Sequence, residues 1–80
     1  MPTSSEKRFL ASFGAAVRSR REKLGVSQEG LALTAELDRT YVGGVERGER
    51  NLGLINVGRL AAALETTPAD LLSGLVLGDK

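Results

Sequence analysis

The chain has 80 residues, a formal net charge of +1 and 41% hydrophobic residues, enough for one small single domain over 1–80. Cysteine and histidine are both absent, which excludes disulfide and thiol chemistry and removes the commonest metal ligand and the commonest general base near neutral pH. No enzyme activity, metal or cofactor is therefore expected. No apolar run approaches the ~20 residues of a membrane helix, and the opening residues Met1 to Arg8 lack a secretory apolar stretch, so a cytoplasmic location away from membranes is expected.

The punctuation is helical, and no sustained period-2 alternation argues for strands, so the fold class is all-α. Helix 1 is predicted from about Ser5 to Leu24, with Phe9, Phe13, Val17 and Leu24 at helical spacing, Leu10 and Ala16 flanking them, and Gly25 as the stop. Residues 1–8 and 78–80 are expected to fray. Ser27 is the N-cap of helix 2, which spans roughly Gln28 to Thr34 with Glu29 in the first turn and Leu31 and Ala32 inward. The turn Ala35-Glu36-Leu37 places Glu36 where a positive φ is common, at a cost for Glu. Asp38 then caps helix 3, about Arg39 to Arg47, with Val42 and Val45 inward and Gly48 at its end. Helix 4 runs from about Leu54 to Leu64 on a stripe of Leu54, Val57, Leu60, Ala61 and Leu64. Thr67-Pro68-Ala69-Asp70 is a helix start with N-cap Thr, Pro at the first helical position and an acid at the third. Helix 5 is expected over Pro68 to about Ser73, stopped by Gly74.

The stretch SQEGLALTAELDRTYVGGVERGERN, Ser27 to Asn51, carries the chemistry. It reads as two short helices joined by a tight turn, the second presenting Arg39, Thr40 and Tyr41 from its first turn. Such a helix suits the major groove of double-stranded DNA. Arg39 can pair bidentately with guanine O6 and N7, and Thr40 can offer a methyl to thymine or a hydroxyl to a base edge. Tyr41 either meets DNA through its OH or ring, or is a half-buried ring with a wet hydroxyl. The start of helix 2 favours a phosphate through its free N–H groups, with Ser27 and Gln28 the candidates; the Gln28 amide can bond that phosphate or brace helix 3. The net charge alone is weak support for DNA binding. The bases nonetheless crowd two segments, Arg18, Arg20, Arg21 and Lys23 in one and Arg39, Arg47 and Arg50 in the other, each interleaved with acids.

Five helices in this order, with Val17, Arg21, Gly25, Ser27-Gln28-Glu29, Leu31-Ala32, Val42, Val45-Glu46-Arg47-Gly48, Asn51, Leu60-Ala61, Ala63-Leu64 and Leu71-Leu72, resemble the Xre / Cro–CI helix-turn-helix family. Within it, Leu37-Asp38-Arg39-Thr40-Tyr41 followed by Glu46-Arg47 and Arg50-Asn51 look most like the controller proteins of restriction–modification systems. The resemblance implies a five-helix lambda-repressor-like fold with helix 3 in the major groove and helix 2 across the backbone. It implies phosphate contacts from Arg47, Arg50 and Asn51 in the loop after helix 3, and a buried ion pair between Arg21 and Glu46. It also implies a transcriptional regulator of restriction–modification genes; the alternatives are a general Xre-type repressor or antitoxin, and a protein-interaction module that ignores DNA.

Some residues depart from that pattern. Gly43-Gly44 leaves the recognition helix without side chains where relatives carry polar ones, so the backbone sits close to DNA, or discrimination moves to Arg39, Thr40 and DNA shape, or sequence discrimination is reduced. Gly58 is expected to allow close approach of another helix, and Gly30 further softens helix 2. Leu64, Leu72, Leu75, Val76 and Leu77 are more apolar than the end of a monomer should expose, and are assigned to a homodimer interface. A two-fold dimer would set two recognition helices ~34 Å apart on pseudo-palindromic half-sites. Control is then expected through protein concentration and autoregulation, with Glu29 and Glu36 as candidate contacts for RNA polymerase.

Overall fold

Helix formation begins with a capping box at Thr3-Ser4-Ser5-Glu6. The Thr3 hydroxyl accepts the Glu6 N–H at 3.1 Å and the Glu6 carboxylate accepts the Thr3 N–H at 2.8 Å. Residues 1–8, expected to fray, are instead drawn into a helix from Ser4 onward. The computed structural model describes residues 1–78; positions 79 and 80 of the expected frayed end 78–80 lie outside the described residues, and the Gly78 N–H reaches Ser5 Oγ at 2.8 Å.

Among the described residues the elements are α1 (Ser4–Leu24), α2 (Gln28–Ala35), α3 (Arg39–Glu46), α4 (Leu54–Ala63) and α5 (Pro68–Leu71), with no strand. Gly25, at φ 70°, ends α1 and sends its N–H back to the carbonyls of Arg21 and Glu22. Ser27 accepts the Gly30 N–H, Asp38 accepts the N–H groups of Thr40 and Tyr41, and Thr67 accepts the Asp70 N–H. Glu36 turns the chain between α2 and α3 in the left-handed region, at φ 59° and ψ 44°, a conformation costing a non-glycine residue about 1–2 kcal/mol. Helix α5 is shorter than expected: it stops at Leu71, and Leu72 to Gly74 form a turn.

Val17, Leu31, Val42, Val45, Leu60 and Leu64 are the largest fully buried side chains, and every helix adds to the one core. Two positions on α4 differ from expectation. Leu54 is 78% exposed, because it stands on the first turn of the helix and Leu52 of the preceding loop takes the inward place. Leu64 is only 1% exposed; it closes the core below α4 and offers no surface to a second copy.

Contacts that no local pattern announces set the helix packing. A Cβ built on Gly14 would lie 2.3 Å from the Val45 carbonyl oxygen and 2.6 Å from that of Glu46, so α1 crosses the end of α3 backbone to backbone. Gly48 meets Ala11 in the same way, its Cβ position 2.7 Å from the Ala11 Cα. Arg20 donates from Nε to the Leu64 carbonyl and from Nη2 to the Glu65 carbonyl, both at 3.0 Å, satisfying carbonyls that the end of α4 would leave open. Gly58, expected at a close helix crossing, has no atom of another residue within 4 Å of its Cβ position.

These two glycines predict opposite outcomes. Gly14→Ala forces a methyl into backbone atoms that cannot rotate away and should lower the unfolding free energy by about 2–3 kcal/mol. Gly58→Ala, facing open space in a helix interior, should raise it by about 1 kcal/mol. Urea denaturation of the two variants beside the wild type measures both, and equal midpoints would contradict the packing just described.

Candidate nucleic-acid interface

Helix α3 places its first turn in solvent. Arg39 and Thr40 are exposed directly after the Asp38 cap, and Tyr41 is half-buried. The Tyr41 hydroxyl accepts a hydrogen bond from Asn56 Nδ2 on α4 at 3.1 Å, and the Arg50 guanidinium lies 5.5 Å from the ring centroid. Tyr41 is thus a half-buried ring whose OH is engaged by the protein. Asn56 was not visible as a site residue in the sequence; the only signal is its polarity beside the inward Val57.

Side chains arriving from the following turn cover the exposed face of α3. Gly43 and Gly44 are both buried although they lie one turn beyond exposed Arg39 and Thr40. Arg47 closes the C-terminal end of α3 and forks onto Glu49, at 3.1 Å from Nε and 3.2 Å from Nη2. Arg50 follows at the start of the next loop. The pull of Arg47 holds the exposed Glu49 carboxyl below the usual glutamate range. Asn51, next in the chain to Arg50, is exposed and lines a groove with Phe9, Leu10 and Leu72.

The Ser27 hydroxyl caps α2 by accepting the Gly30 N–H at 2.9 Å. The Gln28 side chain bends toward α3 and donates from Nε2 to Glu46 Oε1 at 2.9 Å, so its amide braces the end of α3. Glu46 also accepts Arg21 Nε at 2.6 Å and Nη2 at 3.0 Å, while Arg21 Nη1 donates to the Val26 carbonyl at 2.9 Å. The two side chains are 12% and 3% exposed. Burial by itself would push the Glu46 carboxyl up; the bonds from Arg21 and Gln28 and the charge of Arg21 outweigh it and leave the group below the ordinary range. The same bond raises the Arg21 guanidinium. The basic cluster of α1 therefore divides: Arg21 is internal, Arg20 caps α4, and Arg18 pairs with Glu22 at 3.2 Å.

The apolar end of the chain also divides. Leu64 belongs to the core and Leu75 packs against it, leaving Leu72, Val76 and Leu77 exposed at 37%, 62% and 57%. Leu72 and Leu77 border grooves that α1 walls with Phe9 and Leu10. No metal-binding cluster of acids exists among the described residues, and no helix there is long and apolar enough to cross a membrane.

A capped short helix with an exposed basic first turn, set against a second short helix across a left-handed turn, defines the helix-turn-helix class. The HTH_3 helix-turn-helix family matches residues 17–71, and the chain belongs to it. Within that class it belongs with the control proteins of restriction–modification systems. It is 43% identical over 68 residues to the control protein C.BamHI of Bacillus amyloliquefaciens, covering 84% of each chain. The restriction–modification controller protein C.AhdI of Aeromonas hydrophila matches in structure with a TM-score of 0.76 and 52% identity, over 78% of this chain and 94% of that one. The controller protein C.Esp1396I, solved as a tetramer with its natural 35 base-pair operator, matches with a TM-score of 0.76 and 31% identity, over 84% and 88% of the two chains.

The junction of Arg21 and Glu46 makes a pH prediction. A carboxylate whose folded value is depressed contributes stability above the ordinary glutamate range and loses it as the pH falls through the folded value. Glu46→Gln strands the Arg21 charge and should cost about 3–5 kcal/mol at pH 7. The deficit should shrink on acidification, as the wild type protonates Glu46. Thermal unfolding from pH 7 to pH 3 tests this, and a deficit that stays constant over that range would refute it.

Proposed function

We propose that this chain is a dimeric, sequence-specific DNA-binding transcriptional regulator that controls restriction–modification genes, its own among them, in the cytoplasm. The observation carrying this reading is the exposure of Arg39 and Thr40 on the capped end of α3, with Arg47 and Arg50 beside them. In the major groove, Arg39 reads guanine and Thr40 meets an adjacent base edge or thymine methyl. The first N–H groups of α2, at Gln28 and Glu29, have no partner within the helix and point with the positive end of its dipole at a backbone phosphate. Ser27 and Asn51 add polar contacts to the backbone, and the Arg47 fork exchanges Glu49 for a phosphate.

The exposed Leu72, Val76 and Leu77 supply the contact between two copies, with Phe9 and Leu10 alongside. Two α3 helices on one face of the duplex then engage two half-sites one helical turn apart. Increasing concentration first fills the tighter site and then a weaker one, which turns activation into repression of the chain's own gene; the acids Glu29 and Glu36 are the candidate polymerase contacts.

Footprinting on the DNA upstream of the chain's own gene tests the reading. The wild type should protect a pseudo-palindromic site with a sigmoidal dependence on concentration. Arg39→Ala should lose about tenfold or more of its preference for that site while keeping salt-dependent binding to unrelated DNA. A wild type that protects nothing at low salt would remove the proposal. Val76→Asp with Leu77→Asp should shift the sedimentation of the free protein toward monomer and flatten the sigmoid; an unchanged dimer would displace the interface from the C-terminal segment.

A further inference from the structure

On α3, positions four apart share a face, so Gly43 continues the row of Arg39 and Gly44 that of Thr40. The second turn of the outward face thus has no side chains of its own, and both glycines are nonetheless buried. What covers them is specific. A Cβ on Gly43 would stand 3.1 Å from Arg47 Nη1 and 3.6 Å from Gln28 Oε1. A Cβ on Gly44 would stand 3.0 Å from Arg50 Nε and 3.1 Å from its Cγ. Two of the poorest helix formers sit side by side in a helix of eight residues, and each is roofed by a different arginine.

We propose that Gly43 and Gly44 are a seat that positions Arg47 and Arg50 over the bare second turn of α3, so that these two arginines supply the middle of the DNA-reading face. Long side chains on a helix lean toward its N-terminus, which carries Arg47 back over Gly43. Arg50 returns from the loop and lies against the Gly44 backbone on one side and the Tyr41 ring on the other. Asn56 fixes that ring through the Tyr41 hydroxyl, at 3.1 Å. Gln28, already bonded to Glu46, borders the seat of Arg47. Both side chains lie along α3 before DNA arrives, Arg50 against the Tyr41 ring and Arg47 forked onto the Glu49 that a phosphate would replace, which lowers the ordering cost of each contact they make. A side chain at either glycine would push its arginine out of the place it now holds against the helix.

The inference rests on the DNA-binding reading, and the test separates the two. Affinity for the chain's own operator, affinity for unrelated DNA of equal length, and melting temperature are measured for Gly43→Ala and Gly44→Ala, and again with Arg47→Ala and Arg50→Ala in the matching pairs. Gly43→Ala presses only on the end of the Arg47 side chain, with Gln28 Oε1 at ordinary contact distance, and should melt about 4–8 °C above the wild type. Both glycine variants should bind the operator about tenfold more weakly. In the arginine-deleted backgrounds the same glycine substitutions should change binding less than twofold, since there is no longer an arginine to displace. Gly58→Ala, stabilised with nothing against its methyl, should bind as the wild type does. Glycine variants that bind with wild-type affinity, or a loss that persists after the arginine is gone, would overturn the seat and leave the DNA-binding reading standing. Absence of operator binding by the wild type would strike that reading instead.

Discussion

The position of the recognition helix depends on one junction. Glu46, the last residue of α3, accepts Arg21 from α1 and Gln28 from α2, while Gly14 lets the α1 backbone touch the carbonyls of Val45 and Glu46. A buried ion pair adds little over an apolar pair of the same volume, but removing one partner is costly. Its contribution here is geometric: few placements of α3 let one carboxylate take both arginine donors and the glutamine amide. An eight-residue helix is about 12 Å of stiff rod, so fixing its C-terminal end aims its N-terminal end. The direction of Arg39 and Thr40 is thus decided at the far end of α3, inside the protein.

The same packing produces a local basic face from a chain with a net charge of only +1. Acids neutralise bases where the fold needs them: Glu22 on Arg18, Glu46 on Arg21, Glu49 on Arg47. Arg20 is spent on the carbonyls ending α4. Among the described residues Arg39 and Arg50 make no ion pair; Arg39 opens α3, and Arg50 lies back over its second turn against Gly44 and the Tyr41 ring. Total charge therefore says little about this surface. The potential over this surface is set by the bases left unneutralised and by the dipole at the start of α2.

What the sequence made legible was local. Ser27, Asp38 and Thr67 were readable as caps because an oxygen two or three residues ahead of its N–H partner needs no tertiary information. Gly25 and Glu36 were readable as left-handed positions for the same reason. The capping box at Thr3 and Glu6 carried an equally local signal and shows why the first turn is ordered. The failures were tertiary. Leu54 satisfies the helical period of α4 but stands on its first turn, where Leu52 of the loop takes the inward place, and Leu64 reads equally well as core or interface until the partner faces are known. Gly14, Arg20 and Asn56 act on residues 31, 44 and 15 or more positions away, where no spacing rule reaches. Gly43-Gly44 was visible as an anomaly, but the arginines that cover it come from the next turn and loop.

A single copy of this domain offers DNA one short helix and a handful of polar side chains, and small contact sets of that kind discriminate weakly. Joining two copies changes the second half-site from a separate encounter into one at the high effective concentration set by the dimer. Occupancy then follows the dimer population, which rises with the square of monomer concentration while monomers predominate. In the proposed dimer the contact rests on the exposed Leu72, Val76 and Leu77, a small apolar area on a small domain, and a contact of that size would keep the equilibrium within reach of changes in protein level. Under the proposed function the shortness of the single helix and the small contact between copies work together: one half alone would hold DNA weakly, and the pair would fill its site over a narrow range of concentration.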